Sequence, residues 1–554
     1  MNSLLLLKKT KLADFKQLII ALSSGVLMGL SPAPLNLWLL SWIALVSLWI
    51  FIFQDKKSYQ EVALIGFTWG FGYHGLALFW ITGVHPMTWM GVPWLASLSI
   101  AIAVWLAISF WGAFLVSLWT IICSFINRKF LKVNRDNTVI FIITRVLIGV
   151  TVWCSLETLW SYGSLWWSSL SYTQSPNNLA ILQLTKFSGF NTVTAAIVAV
   201  NGLLAEAIIL NQVILKKQIN SEKTFSIPHN LNSTPKQNIL ISNKVKPLIC
   251  LPIILFFGLH IWGLWLYNYP IAKDNLEPIK VGIIQGNIPN EIKLYSEGWV
   301  KAIQGYTKGY QKLAQQKVDV VLTPETALPF YWNDITNNSD FYQAVIKAKV
   351  PAWVGAFGRK DTDYTNSLFT LTGEGKTLSR YDKTILVPLG EYIPFEPILG
   401  KIIDTLSPLE AHLQAGKPEQ IFDTPFGKAI VGICYESAFS QHFRRQAREG
   451  GEFIITASNN AHYSRAMPAQ HHAQDVIRAI ESDRWAARAT NTGYSAFVDP
   501  HGNTLWRSAI NQYQIYANTI YRRQTKTLYV RWGDWLTILL SVISMVVIVK
   551  KRLV

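Results

Sequence analysis

Charge is what this sequence has least of. Only 15% of its 554 residues are Asp, Glu, Lys or Arg, where an ordinary soluble domain carries about 25%. That scarcity argues against a wholly soluble enzyme. Cysteine is nearly absent as well, and four in the whole chain exclude a disulfide-rich secreted module. Cys123, Cys154 and Cys250 lie in apolar runs, where a small buried hydrophobe is the default. Cys434 stands alone in the polar half, so no disulfide can form within that half. The sequence also lacks a Gly-rich phosphate loop, a dinucleotide fingerprint and an internal repeat. What it has instead is apolar: 50% hydrophobic residues, 23 tryptophans and a mean hydropathy of +0.24. Such a composition excludes a disordered chain and calls for bilayer-spanning runs.

Those runs fall near 17–31, 36–53, 61–82, 95–125, 139–160, 191–211, 247–268 and 535–549. No cleavable signal peptide is expected, because the first run is followed at once by a second. The loops between them alternate in charge. Lys and Arg crowd the N-terminal tail, the segments 54–60, 126–138 and 212–247, and the C-terminal tail. The segments 32–35, 83–93 and 161–178 carry none. By the positive-inside rule both termini are expected in the cytoplasm. The loop and tail cations exceed the formal net charge of +17. Topology therefore accounts for the basicity, and nucleic-acid binding is not implied. The 220–245 stretch, rich in Asn, Ser and Lys, reads as a cytoplasmic linker.

The polar stretch of about 275–530 is expected outside. Short β-rich runs alternate there with amphipathic helical ones. Strands are predicted at Ile279–Gln285, Val318–Thr323, Ala352–Ala356, Ser367–Leu371, Lys428–Cys434, Phe453–Ala457 and Ala496–Val498. Helices are predicted at Trp299–Gln316, Phe341–Lys347 and Ala469–Thr490. This alternation argues a layered α/β domain.

Three sites follow those strands, where α/β folds place chemistry. Glu325, in VVLTPETALPF, sits past an apolar strand and could be a general base or a plain turn acid. Lys383, in SRYDKTILVPLGEYIPF with Glu391, could stabilise an oxyanion or simply be solvated. Cys434, in VGICYESAF with Tyr435 and Glu436, could be an exposed nucleophile or a buried structural thiol. Each is ambiguous alone. In order, with their flanks PETA, YDK, LVPLGEYIP and GICYE, they resemble the carbon–nitrogen hydrolase (nitrilase-like) superfamily over about 279–525.

The membrane half narrows the resemblance. Seven spans, an external nitrilase-like domain and one closing span resemble the apolipoprotein N-acyltransferase family. IIQGNIP at 283–289, GYSAFVDPHG at 493–502 and RWGDW at 531–535 add to it. The resemblance implies a polytopic α-helical membrane domain of about eight transmembrane helices carrying an α/β αββα sandwich. Its parts would be 1–270 (seven helices), 275–530 (hydrolase-like domain) and 531–554 (last helix and cytoplasmic tail). It implies a cell inner (plasma) membrane location, with the catalytic domain on the periplasmic or external face. It implies acyl transfer from a phospholipid to the α-amino group of a diacylglyceryl-cysteine lipoprotein, without cofactor or metal. Cys434 would be the nucleophile, Glu325 the base and Lys383 the oxyanion stabiliser. Glu391, Tyr435 and Glu436 would support them. A membrane-tethered amidase or thioester hydrolase, with water replacing the amine, is the alternative, and a non-catalytic receptor is a third reading.

Some residues depart from the family pattern. The 459–463 loop reads Asn459-Asn460-Ala461-His462-Tyr463 where Asn-Asp-Ala-Trp-Phe is usual. Leu294 lies where a tryptophan is common, and Trp166-Trp167 replaces a Pro-Trp. Trp89, Trp94, Trp166 and Trp167 are candidates for an apolar mouth, or for an ordinary interfacial aromatic belt. His462, His471 and His472 match no standard metal spacing. Glu157 is an intramembrane acid and so a functional candidate, or else an interfacial carboxylate. Arg145 and Lys186 are expected to mark interfaces.

Overall fold

The computed structural model describes residues 2–54, 57–131, 138–224, 246–271, 277–360, 363–392, 413–461 and 463–553. His462, most of the 220–245 stretch and Ile393-Pro394-Phe395 of the LVPLGEYIPF motif lie outside the described residues. Before residue 272 the described secondary structure is helical throughout. This is how an apolar chain satisfies its own backbone where water is missing. Among the described residues four helices are long and apolar enough to cross a membrane: Trp94–Phe130, Val139–Trp160, Phe190–Ile214 and Cys250–Asn268. Shorter apolar helices occupy Phe15–Gly29, Trp38–Phe53 and Trp535–Lys550. Helix Trp94–Phe130 has 37 residues, about 55 Å at 1.5 Å per residue, and outruns the roughly 30 Å of hydrocarbon.

The expected span 36–53 is not one helix. It is a 3-10 turn, Trp38–Trp42, followed by helix Val46–Gln54. Asn201 occupies the break, taking Leu45 N–H at 2.9 Å and donating to Ser41 O at 2.9 Å. Span 61–82 likewise ends its helix at Ala77 and finishes as a 3-10 turn, Phe79–Val84. Helices Asn2–Gly29 and Tyr59–Ala77 touch backbone to backbone at Gly25, where a Cβ would lie 2.0 Å from Trp69 O.

Arg145 turns inward among the helices. It is buried, 3.2 Å from Glu206 and over the Phe53 ring. Glu157 is buried too, accepting from Trp153 Nε1, Ser169 Oγ, Leu170 N and Thr194 Oγ1 at 2.7–3.0 Å. It ties down the 169–170 loop. Lys186 lies 3.7 Å from Asp483, joining the helical part to the strand-rich part.

Among the described residues every strand falls between 278 and 521, in two six-stranded sheets. The first contains β1 (Pro278–Gln285), β2 (Val320–Leu322), β3 (Ala352–Lys360), β4 (Asp363–Leu371), β5 (Thr377–Asp382) and β12 (Gln514–Tyr521), in the order β12-β1-β2-β3-β4-β5. The second contains β6 (Phe422–Thr424), β7 (Gly427–Ile433), β8 (Phe453–Ser458), β9 (Ala486–Thr490), β10 (Ala496–Val498) and β11 (Thr504–Arg507), in the order β11-β10-β9-β8-β7-β6. Ile283, Leu322, Trp353, Val431, Ile433 and Phe453 fill one core shared by both sheets. Helices Ser296–Gln315 and Asp340–Ala348 share a core with the outer side of the first sheet. Helices Ser440–Arg448 and Ala466–Ser482 share one with the second sheet, and that core continues into the membrane helices. This is an αββα sandwich whose second helical layer is pressed against the membrane part.

Helix Ala466–Ser482 is shorter than expected. It stops at Asp483, which is left-handed (φ 55°), and Ala486–Thr490 is strand β9. Its apolar face and the strand's alternation overlap in the sequence, which is why 469–490 reads as one helix.

Candidate active site

Two parallel β-strands and one antiparallel strand deliver the three candidate residues to one cavity. Glu325 follows β2. The turn that carries it, with Thr326 at φ 46°, lies flat on Gly355 of β3. A Cβ there would meet Pro324 O at 2.0 Å, so glycine alone lets the turn pass. Lys383 follows β5, its N–H on Asn366 O at 2.9 Å. Cys434 follows β7 and opens the 3-10 turn Cys434–Ala438 with φ 51°. A non-glycine residue in that region costs about 1–3 kcal/mol and marks a position held by its surroundings.

The ionic groups are interlocked. Lys383 Nζ donates to Glu325 Oε1 at 3.0 Å and to Glu391 Oε1 at 2.8 Å. Asn366 Nδ2 lies 2.6 Å from the same Glu325 oxygen and 3.2 Å from the same Glu391 oxygen. Val387 N–H takes the second Glu391 oxygen at 2.8 Å. Burial opposes the Lys383 charge, but the two carboxylates outweigh it and hold its pKa well above the ordinary value. Burial pushes Glu325 up, yet Lys383 and Lys293 outweigh it and leave its pKa lowered. Burial and the Glu325 carboxylate push the Cys434 thiol up to about 12, so it rests as a thiol. Its Sγ is 3.8 Å from Asn459 O.

Glu436 does not face this cavity. It lies fully buried behind the turn and gathers Thr384 N, Thr384 Oγ1, Ile385 N, Ile433 N and Tyr381 OH at 2.6–3.2 Å. It fastens the Lys383 loop to the Cys434 turn. The Tyr435 hydroxyl reaches Ser164 O at 2.8 Å and Trp166 O at 2.9 Å, and its ring stacks on Trp167.

Two residues escaped sequence reasoning. Asn366 is one of several buried polar side chains on β4, with Thr365, Ser367 and Thr370, so nothing in the sequence singles it out. Lys293 is buried and donates to Glu325 O at 3.1 Å. Burial lowers its pKa to about 8, against the pull of Glu325 and Cys434. Its sequence context, one lysine beside Leu294, carries no signal.

Cys434, Glu325, Lys383, Glu391, Lys293 and Asn366 all line the cavity, together with Trp89, Leu294, Asn459 and Tyr463. Of the four tryptophans expected at a mouth, only Trp89 lines it. Trp94 is exposed against His85. Trp166 and Trp167 are buried, with their indole N–H groups on Ala438 O and Gln470 Oε1. His471 and His472 point to separate partners, Cys434 O and Thr504 Oγ1. Among the described residues no three His, Cys, Asp or Glu side chains gather as a metal site would require.

Two family models match the chain. One is the apolipoprotein N-acyltransferase N-terminal domain, over residues 24–203. The other is the carbon–nitrogen hydrolase, over residues 280–522. An apolipoprotein N-acyltransferase from a Nostoc species is 54% identical over 520 residues, covering 93% of this chain and 96% of its own. Another, from a Synechocystis species, is 49% identical over 531 residues, covering 93% and 97%. A third, from Thermosynechococcus vestitus, is 39% identical over 521 residues, covering 94% and 92%. Helices able to cross a membrane, a two-sheet hydrolase sandwich and full-length relatives of one kind agree: this chain belongs to the apolipoprotein N-acyltransferase family.

Proposed function

We propose that Cys434 carries the acyl chain of a membrane phospholipid as a thioester and passes it to the α-amino group of a diacylglyceryl-cysteine lipoprotein. The observation that carries this reading is the convergence of Glu325, Lys383 and Cys434 on one cavity, with Lys383 bound to Glu325. In the first half-reaction Cys434 Sγ attacks the ester carbonyl and its proton passes to Glu325. The resting thiol makes that proton transfer necessary. The oxyanion forms against Lys383 and the backbone N–H after Cys434. Collapse expels the lysophospholipid alkoxide, which takes the proton back from Glu325. In the second half-reaction the amine attacks the thioester and gives its proton to Glu325, and the Cys434 sulfur leaves and recovers a proton. Glu391 holds Lys383 in place, and Tyr435 and Glu436 fix the turn. Trp89, Leu294 and Tyr463 give the cavity an apolar wall that keeps water from the thioester.

The same reading places the chain in the cell inner (plasma) membrane with about eight spans, both termini cytoplasmic and the hydrolase part on the periplasmic or external face. The chain would divide into 1–270, 275–530 and 531–554. The test uses full-length protein in phospholipid-containing micelles without acceptor, weighed intact. A hydroxylamine-labile gain of one fatty acyl mass is expected, absent in Cys434→Ala, and a diacylated lipopeptide should discharge it. Free fatty acid accumulating without that discharge would make the protein a hydrolase. No adduct on the wild-type chain would overturn the Cys434 role.

A further inference from the structure

The Cys434 turn is strained, and one side chain outside the ionic cluster grips it. His471, in helix Ala466–Ser482, lies 2.8 Å from the Cys434 carbonyl through Nε2. A carbonyl oxygen can only accept, so Nε2 carries a proton. Nδ1 is then the acceptor, provided the ring is neutral, and Asn460 Nδ2 sits 3.1 Å from it. The surroundings keep the ring neutral. Burial first, then the nearby Arg488 guanidinium, push its pKa well below the ordinary value, and Lys383 and His472 act in the same sense. Asp475, one turn along, is ion-paired with Arg488. Trp167 closes the remaining side edge-on at 5.7 Å. One tautomer therefore serves both neighbours.

The Cys434 carbonyl belongs to the same peptide plane as the Tyr435 N–H. In a trans peptide the two point in opposite directions. Pinning the carbonyl on the His471 side therefore aims the Tyr435 N–H away from His471. Tyr435 is the second residue of the 3-10 turn Cys434–Ala438, too early in the turn for its N–H to find a carbonyl within it. At the first turn of a helix such a donor is free for a ligand.

We propose that His471 is a positioning residue for the acylation steps: its Nε2–H fixes the Cys434–Tyr435 peptide so that the Tyr435 N–H is presented to the oxyanion. This rests on Cys434 being the nucleophile. Asn460 holds the tautomer, so the unusual 459–463 loop reaches the reaction through His471 as well as through Asn459 and Tyr463, which line the cavity.

The experiment follows thioester formation on Cys434 in single turnover, on full-length protein, with melting temperature recorded for each variant. His471→Phe removes the donor. Acyl transfer to Cys434 should slow by about 10²–10³-fold, the usual effect of losing one oxyanion donor, with the phospholipid concentration at half-maximal rate nearly unchanged. His471→Gln keeps an N–H and should regain most of that loss. Asn460→Asp gives an independent readout. Its carboxylate draws a proton onto Nδ1, so Nε2 can donate only while the ring is a cation. The rate should then acquire an alkaline limb, falling as pH rises through the new imidazole pKa, which the wild type lacks. Equal rates in wild type and His471→Phe would overturn the proposal. So would a His471→Gln no faster than a well-folded His471→Phe, or superimposable pH profiles for Asn460→Asp and wild type. A wild-type protein that forms no thioester would overturn the Cys434 reading itself.

Discussion

Two lysines are buried in one cavity, one on the Glu325 carboxylate and one on its backbone carbonyl, and their surroundings are opposite. On the β5 side Lys383 is clasped by the Glu325 and Glu391 carboxylates and its charge is reinforced. On the Ile288–Leu294 side Lys293 donates to a backbone carbonyl, and burial drives its pKa down to about 8. The first cation holds the fold of the site together. The second costs stability that no described carboxylate bonded to it returns. Burying an ammonium is tolerated when it is paired, so the contrast separates a lysine held by two carboxylates from one held by a backbone carbonyl.

Lys383→Met should have the largest effect. It leaves the buried Glu325 and the half-buried Glu391 with no ammonium between them. Breaking a buried pair by removing one partner costs roughly 3–5 kcal/mol. Thioester formation should fall by about 10³-fold or more, since an oxyanion contact is lost as well. Intact-mass kinetics and a melting curve check both. If Lys383→Met melts like the wild type, the two sides of Glu325 are not different in kind.

Acid should strain the same side next. The Glu325 pKa is lowered in the folded protein. Its stabilising contribution is therefore complete above the unfolded value of about 4.3 and is lost as pH falls through the folded value. Melting temperature should drop on acidification through that window, and less steeply in Glu325→Gln. Parallel slopes would mean that other carboxylates carry the acid sensitivity.

Lys293→Met should do the reverse of Lys383→Met and stabilise the fold at neutral pH. The lysine binds its proton more weakly when folded. Below about pH 8 the native state therefore carries the whole cost of the buried charge. Between about 8 and the unfolded value near 10.4 the folded protein sheds the proton first, and wild-type stability recovers. The melting-temperature gap between variant and wild type should be widest below pH 8 and close above it. A gap of opposite sign would mean that Lys293 has found a carboxylate in solution.

The contrast between these lysines also marks where the sequence could be read. Lys383 was legible because YDK and LVPLGEYIP surround it, and Glu325 and Cys434 because each sits past an apolar strand in a distinctive flank. The strands β1, β3, β7, β8 and β10 were legible through their apolar runs. Strand β5, TLSRYD, was not, because its exposed edge reads as a polar loop. Strand β12, QIYANTIY, was missed although it pairs with β1 along its whole length. The break at 43–45 was hidden because its partner, Asn201, is more than 150 residues away. Lys293, Asn366 and His471 share that difficulty: each acts through a contact that only the folded chain creates.

Tyr435 offers the smallest effect and the finest test of how the membrane part meets the site. Its phenol reaches two carbonyls of the 164–166 loop, and its ring lies flat on Trp167 at 6.1 Å between centroids. Tyr435→Phe removes the hydrogen bond and keeps the stack. A neutral hydrogen bond is worth about 0.5–1.5 kcal/mol net, so the rate should fall by less than about tenfold. Tyr435→Ala removes the stack too and should cost more than Tyr435→Phe. The backbone N–H is present in both variants, so any oxyanion contact it makes is still available. If Tyr435→Phe proves as damaging as His471→Phe, the hydroxyl, not the peptide plane, is what aligns the turn. If both Tyr435 variants match the wild type, the 164–166 loop only rests against the site, and the grip on Cys434 comes wholly from the hydrolase sandwich.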